Sequence, residues 1–419
     1  MVCKVSAERG KALIMTENLQ EPKSKTYDVV IIGGAMYGCS IAWFLASNPS
    51  FNGTVLVIEK DPSYEFSSTA RTNSCLRHQF SQKINIKISQ FGASYIKNFQ
   101  EHMNFDERVP KILFRSFGYM YLANNTKFLS HLKNNQKLQA RMGSGTKFLS
   151  PHEIKKQYPF YNIEDILGGT HNLIDEGYFD GQTIFEWWKK SAKENGVEFI
   201  QNEVVEMGIN NIGSKIITKI KLRSGTHVSP GLVVNASGPY AKKTARMADI
   251  QIPIEPRKRY SFIFSAQNQL DHDLPLTIDP SGIHVRSDGK NYLAGCSPDI
   301  DTTVDYNDFN FDPEIWDTKV WPALANRIPQ FESIRVLNSW VGHYAYNTFD
   351  QNAILGKHSK VNNFIFANGF SGHGLQQSPA IGKGISELIT FGEYRFLDLS
   401  SLDYKRLDEN KPLTENSII

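Results

Sequence analysis

The sequence predicts an α/β fold in which one sheet is assembled from distant chain segments and a second, β-sheet-rich domain is inserted. Three observations carry this. Residues 27–32 and 54–59 read as strands around a helix from 38 to 46, the unit from which parallel sheets are built. β-rich and helical segments then alternate along the chain instead of separating into blocks. Residues 364–367, finally, lead through a glycine-rich loop into a helix, so the end of the chain repeats the kind of unit found at its start.

The first unit needs care. Residues 29–58 hold no charged side chain, yet the run Val29-Val30-Ile31-Ile32 meets Gly33-Gly34, and Asn48-Pro49-Ser50 breaks it again. A bilayer span needs roughly 20 continuous apolar residues, so strand, turn, helix and loop is the reading, with no membrane span. Next, 84–100 reads as a helix with Ile84, Ile88, Phe91 and Tyr95 on one face. A strand at 118–123 precedes a polar helix at 127–142. A helix at 182–195 ends at Gly196 before a strand at 197–200. Residues 216–222 and 227–234 form strands around the turn Ser224-Gly225, and 259–264, 283–286 and 292–294 are further strands. Ser378 is the expected N-cap of a final helix at 379–389, with Pro379 in its first turn.

A chain of 419 residues suits about two domains. Residues 26–108, 151–250 and 345–400 are assigned to a nucleotide-binding domain, and 109–150 and 251–344 to a substrate domain. Residues 1–25 are expected as a flexible extension and 401–419 as a tail. The first 25 residues hold five basic and three acidic side chains without an apolar stretch, unlike a secretory signal. A net charge of +3 without a basic block excludes nucleic acid as a partner. Cys3, Cys39, Cys75 and Cys296 are scattered, which argues against a structural metal or disulfide framework and for a reducing, cytoplasmic compartment.

The strongest motif is Asp28-Val-Val-Ile-Ile-Gly33-Gly34-Ala35-Met36-Tyr37-Gly38, with Glu59 at the end of the next strand. This is the setting of a dinucleotide fingerprint. Gly33 permits the tight turn, Gly38 permits close helix–strand packing, and free amides at the helix start would meet a pyrophosphate. Ala35 stands where the usual middle glycine would be, so one methyl group crowds that approach. Glu59 can accept hydrogen bonds from ribose hydroxyls.

The fingerprint alone does not separate NAD from FAD. In Phe364-Ile-Phe-Ala-Asn-Gly-Phe-Ser-Gly-His-Gly-Leu-Gln-Gln-Ser-Pro379, Gly369, Gly372 and Gly374 remove side chains where backbone would approach a flat ligand. The positive end of the following helix would stabilise the charge of a reduced flavin, a charge that a nicotinamide does not gain. A glycine-rich loop that merely caps a helix is the plain alternative.

Together with Ser67-Ser-Thr-Ala70, Gly177-Tyr-Phe-Asp180 and Val233-Val-Asn-Ala-Ser-Gly238, these segments resemble the FAD-dependent amino acid oxidase superfamily from residue 27 to about 397. The segments Glu255-Pro-Arg-Lys-Arg-Tyr260, Lys319-Val-Trp-Pro322, Asn347-Thr-Phe-Asp-Gln351 and Gly374-Leu-Gln-Gln377 are most similar to FAD-dependent oxidoreductase-domain proteins linked to mitochondrial complex I assembly. The resemblance implies an FAD-binding Rossmann-like domain of the glutathione reductase type and noncovalent FAD. Gly33, Gly34, Ala35, Met36, Tyr37, Gly38, Glu59 and Lys60 would hold the ADP half, and Val205 would present backbone to adenine. Ser67, Ser68, Thr69 and Ala70 would lie along the pyrophosphate and flavin. Ala236, Ser237 and Gly238 would pack against the cofactor, and Ser371, Gly372, His373, Gly374, Leu375 and Gln376 would line the isoalloxazine.

Arg77 matches an arginine that grips the substrate carboxylate in sarcosine oxidases, a task suited to a planar, forked donor; a structural ion pair is its alternative. His78, Tyr344, Tyr346 and His373 are the other catalytic candidates, the tyrosines with Trp340 as a possible aromatic cage for an amine. Arg257 and Arg259 are further candidates for substrate contact. His343 stands where sarcosine oxidases tether FAD through a Cys, and Thr72–Ser74 offers no tethering His. The residues matching two functional lysines are Leu293 and Gln376, which favours a dehydrogenase over an oxidase.

The expected activity is therefore oxidation of the C–N bond of a secondary or tertiary amino acid. Electrons would pass to a quinone, an electron-transfer protein or oxygen, and an oligomer is possible. The alternative is an FAD-containing assembly or electron-transfer protein of a respiratory or amine dehydrogenase complex, in the mitochondrial matrix if the source is eukaryotic. No metal is expected.

Overall fold

The first strand, Thr26–Ile32, buries side chains on both of its faces, as a strand at the centre of a parallel sheet must. In the computed structural model, which describes residues 18–211 and 215–416, it pairs in parallel with Val55–Glu59 on one side and His227–Asn235 on the other. Glu198–Gln201 continues the sheet beyond Val55–Glu59, and Phe364–Asn368 pairs in parallel with His227–Asn235. The sheet is thus gathered from the two ends and the middle of the chain. An antiparallel extension, Val204–Asn210 with Ile216–Leu222, completes the far edge.

Helices Met36–Ala46, Gly181–Glu194 and Gly374–Phe391 cover one face through Val29, Ile31, Trp43, Trp188, Ile381 and Ile385. The first and last of these cross so closely that a Cβ at Gly382 would fall within 1.9 Å of Ser40 Oγ. Val30 and Ile32 face the opposite core with Ile220 and Ala245.

The second sheet runs in the order Ile334–Asn347, Ile254–Ala266, Asn291–Cys296, His284–Asp288, Leu276–Ile278, Tyr119–Ala123, Gly168–Asn172, Lys147–Leu149. Strand alternation sorts its two faces. Tyr260, Phe262, Phe264, Tyr292 and Val341 point into an aromatic core shared with Phe331 and Trp316. The opposite face carries Arg257, Arg259 and Ser261, opposed in register by Tyr344, Gly342 and Trp340. A small third sheet joins Cys75–Leu76 and Phe114–Arg115 to Gly177–Phe179.

Several expectations need correction. Ile334–Asn347 is a 14-residue strand that periodicity did not reveal, because mixed aromatic, polar and glycine positions hide its alternation. Gly168–Asn172 pairs with Tyr119–Ala123 and Lys147–Leu149, so the start of segment 151–250 is built into the second sheet. The last helix begins at Gly374, five residues before Pro379, with His373 as N-cap and no side-chain cap. Proline is tolerated inside it for a local reason: Pro379 cannot donate to the Leu375 carbonyl, and Ser378 Oγ donates to that oxygen instead, at 2.8 Å.

Of the expected extension, residues 1–17 lie outside the described residues. The rest is held: Gln20 N donates to Gln201 O, and Lys23 N to Glu198 Oε1. The tail is also held as far as residue 416, with Glu415 fully buried; residues 417–419 lie outside the described ones. Among the described residues no helix is long and apolar enough to cross a membrane.

Candidate functional site

The turn after the first strand has the geometry of a phosphate cradle. Gly33 adopts φ +99°, and a Cβ there would lie 2.5 Å from Ala236 O; one at Gly38 would lie 1.9 Å from Gly33 O. Both positions therefore exclude any other residue. Ala35 is the N-cap of Met36–Ala46 without a side-chain bond, so the helix start is open, and Met36 N reaches Thr69 Oγ1 at 3.3 Å. This brings the 67–70 loop onto the turn. Ser68 Oγ donates to His343 O at 2.6 Å, tying the same loop to the second sheet.

Glu59 is oriented by the turn it serves. Its carboxylate accepts from Gly34 N and Asp61 N, each at 2.8 Å, while burial pushes its pKa above the usual carboxylate range. Lys60 lies over the Tyr240 ring at 3.5 Å, next to the loop of Ala236, Ser237 and Gly238. Ser237 Oγ is held by Asn235 Oδ1 at 2.7 Å. These groups converge on one side of the first sheet's carboxyl edge. Val205 differs: it is 40% exposed on the outer strand, and its neighbour Val204 is the buried one.

The C-terminal loop lies between the two sheets. Ser371, at φ +47°, donates its N–H to Ala345 O, and its Oγ accepts from Asn347 N at 3.0 Å. Gly372 has φ +93°, and a Cβ there would strike the Tyr344 ring at 2.4 Å. Tyr37 stacks on Phe370 at 3.7 Å and donates to Gly374 O, linking fingerprint and loop.

Arg77 sits at the start of this last helix and is almost fully buried. Its N–H donates to Gln376 Oε1 at 2.8 Å, Nη1 to Gln79 O and Nη2 to His373 Nε2 at 2.8 Å. His373 therefore accepts at Nε2, and its ring stands edge-on to Phe80. Tyr344 lies under Arg259 and Tyr346 under Arg257, at 4.6 and 4.1 Å from the guanidinium carbons. Arg259 is clamped by Asp301 at 2.8 and 2.9 Å.

The structure thus brings together Arg77, His373, Gln376 and Tyr344. His78 is tied through its backbone N–H to Glu176 Oε1 at 2.6 Å, and burial pushes its ring down to about 4, hence neutral. His343 is on the strand face opposite Tyr344, stacked on Phe309 with Nε2 at 2.9 Å from Asp308 O. Leu293 lies on the Arg259 face, with Arg286 as its register partner on one side and Ile263 on the other.

Sequence reasoning missed a buried layer behind Arg77. Glu176 accepts from His78 N at 2.6 Å and Gln79 Nε2 at 2.9 Å, and burial pushes its pKa up to about 7. Asn73 Nδ2 donates to His284 Nε2 at 2.7 Å, and Arg286 Nη2 donates to Asn73 O. The His284–Arg286 pair, two apart on one strand, carried a period-2 signal; Glu176 carried none.

A family model described as DAO, FAD dependent oxidoreductase, matches residues 28–388. FAD-dependent oxidoreductase domain-containing protein 1 of Xenopus laevis is 35% identical over 94% of this chain and 85% of that protein. Sarcosine dehydrogenase of Mus musculus is 22% identical over 95% of this chain and 43% of its own length. L-proline dehydrogenase from P. horikoshii superimposes with a TM-score of 0.79 at 26% identity, covering 93% of this chain and 99% of that one. Glycine oxidase from Geobacillus kaustophilus, 19% identical with a TM-score of 0.75, shares the fold. The residues that fit a dinucleotide and those that fit a flavin ring fall inside one matched span: the chain belongs to the DAO family of FAD-dependent oxidoreductases.

Proposed function

We propose that this protein oxidises the C–N bond of a secondary or tertiary amino acid and passes the electrons to an acceptor other than oxygen. The observation that carries the reading is the placement of buried Arg77 against His373 and Gln376, at the start of the helix that follows the glycine loop. Bound FAD supplies the two-electron chemistry. Gly33, Gly38 and Glu59 would hold its ADP half, and Ser371 to Gln376 would line the ring.

Arg77 supplies a cation for the substrate carboxylate, and its Nη2 contact fixes His373. Tyr344 closes the side facing the second sheet and excludes water. The substrate amine would be bound neutral, so that its carbon can be oxidised. Leu293 places no ammonium on this face, so the charge that forms when oxygen is reduced lacks one source of stabilisation. Two of the similar proteins, sarcosine dehydrogenase and L-proline dehydrogenase, are named for substrates of this class.

Anaerobic titration of the purified yellow protein with sarcosine, N,N-dimethylglycine and proline tests the reading. Bleaching of the flavin, with slow reoxidation in air and fast reoxidation by a quinone, is expected. Arg77→Lys should raise the Michaelis constant at least about tenfold, since a charge-assisted bond contributes about 1.5–3 kcal/mol, with FAD content unchanged. No bleaching by any amino acid would sink the reading in favour of an assembly or electron-transfer role.

A further inference from the structure

Charge is spread unevenly along this chain. The whole molecule carries +3, yet residues 108–152 hold eight Lys or Arg side chains and no Asp or Glu. Helix Thr126–Arg141 lies within that segment, with Lys127, Lys133, Lys137 and Arg141 all exposed. At 3.6 residues per turn these four fall within about 120° of arc. Leu132 and Gln139, the buried positions of the helix, lie on the opposite side. The basic side chains therefore form one outward stripe, and packing occupies the other face.

The neighbours of this helix extend the stripe and do not neutralise it. It packs chiefly against strands Tyr119–Ala123, Lys147–Leu149 and Gly168–Asn172 and helix Lys83–Lys97, none of which contains an acidic residue. Lys83, Lys87 and Gln90 recur on one face of that second helix, and Gln90 Nε2 donates to Met142 O at 2.7 Å. Its exposed lysines thus border the first helix. Acids nearby are already engaged: Asp175 pairs with Lys97 at 2.8 Å, and Glu176 and Glu415 are fully buried. Among the described residues, no ion pair engages Lys83, Lys87, Lys127, Lys133, Lys137 or Arg141. An apolar tip stands beside the end of the stripe. Leu173 and Ile174 are 46% and 61% exposed, and a Cβ at Gly145 would lie 2.6 Å from Ile174 Cδ1.

Unneutralised positive charge on one face calls for an anionic partner. Tight protein interfaces favour aromatic side chains and Arg and are depleted in Lys. This stripe is the reverse, mostly Lys with no aromatic side chain. Ammonium groups on flexible stems suit a surface whose own charges move, and a small apolar tip suits the acyl boundary beneath it. We propose that this face docks the protein on an anionic lipid surface, with the basic stripe on the headgroups and Leu173-Ile174 at the acyl boundary. The inference is independent of the amino-acid reading, and its test does not read turnover.

The test sediments holoenzyme with vesicles of phosphatidylcholine alone and of an equal mixture of phosphatidylcholine and phosphatidylserine. Binding to the mixed vesicles only is expected. It should weaken at least about tenfold as added salt shortens the screening length from about 10 to 3 Å. Each basic side chain near such a surface contributes about a fivefold gain in partitioning. Lys127→Gln/Lys133→Gln/Lys137→Gln/Arg141→Gln should therefore weaken binding at least about fiftyfold. Lys219→Gln/Lys290→Gln/Lys357→Gln/Lys360→Gln removes the same charge from exposed positions on other elements, and should bind within about threefold of wild type. Ile174→Ser should weaken binding at least about threefold. All these side chains are exposed, so flavin content and melting temperature should stay at wild-type values.

No binding, equal binding to both vesicles, or equal loss in the two quadruple variants overturns the docking face. Full-strength binding by Ile174→Ser overturns the role of the apolar tip. Retention on immobilised polyglutamate without vesicle binding also overturns the proposal, and assigns the stripe to an acidic protein instead.

Discussion

At Gly33 a single hydrogen-sized side chain decides whether the cradle can exist. Its φ of +99° is a region that side chains rarely adopt, and the Ala236 carbonyl stands 2.5 Å from where a Cβ would be. Such strain costs about 1–3 kcal/mol before any clash is counted. Gly33→Val should yield colourless protein of lowered stability; the ratio of flavin to protein absorbance in the folded fraction checks this, and unchanged stoichiometry would refute the cradle. Glu176 makes a second residue-scale prediction. Its pKa, about 7 in the fold because of burial, lies above the ordinary value of 4.5. The folded state therefore binds the proton more tightly than the unfolded state. Stability from this group is full below the unfolded pKa and is lost as pH rises through about 7. The loss is at most about 3 kcal/mol. Thermal melts of wild type and Glu176→Gln between pH 5 and 8 should show a steeper decline in the wild type. Parallel curves would mean that Glu176 is ionised throughout.

The elements that hold the site are fastened by polar groups that repair their own irregularities. In the last helix, Ser378 Oγ makes the bond to Leu375 O that Pro379 cannot make. Ser378→Ala should therefore cost about 1 kcal/mol, visible in denaturant unfolding, and no change would mean that the Leu375 carbonyl is content unbonded. A heavier fastening joins the C-terminal segment to the end of strand Ile334–Asn347. Arg406 pairs with fully buried Asp350 at 2.7 and 3.1 Å, and Asp350 also accepts from Asn347 Nδ2 and Leu413 N. Glu415 then accepts from Ser81 N and Asn85 Nδ2. Removing one partner of a buried pair strands the other charge, so Arg406→Leu should destabilise by about 3–5 kcal/mol. A loss under about 1 kcal/mol would show the pair to be dispensable.

For the molecule as a whole, the groups proposed to surround FAD come from both sheets: the fingerprint from one, Tyr344 and the strand that ties Ser371 from the other. A ligand bound only by the folded chain stabilises it by mass action, about 2.7 kcal/mol at a hundredfold excess over its dissociation constant. Removing FAD should therefore lower the melting temperature of the entire chain in one transition; a drop confined to one of two transitions would mean that the sheets unfold independently. Acid or heat should release the FAD, since the His343 ring is engaged with Phe309 and Asp308 on the strand face away from Tyr344. Flavin retained on the denatured polypeptide would contradict this.

Much of the architecture was legible because it depends on neighbours in the chain. The apolar run 29–32 followed by Gly33-Gly34 and an acidic residue at 59 specifies strand, turn and helix locally, and the loop Gly369 to Gly374 does so again. Those patterns, with the resemblance they carried, determined the α/β class, the cofactor and the family. What they left open depends on which surfaces meet. The strand Ile334–Asn347 was hidden because its pattern is set by two different environments, an aromatic core and the polar face that carries Arg257 and Arg259. Arg77 and His373 are 296 residues apart, and no spacing rule connects them. The orientation of the Gln79 and Gln139 amides is likewise decided only by the tertiary structure, which spends their Nε2 groups on Glu176, Tyr119 and Phe80. Local sequence chose the cofactor cradle; long-range packing decided what stands around it, because hydrogen-bond satisfaction and burial belong to the assembled molecule.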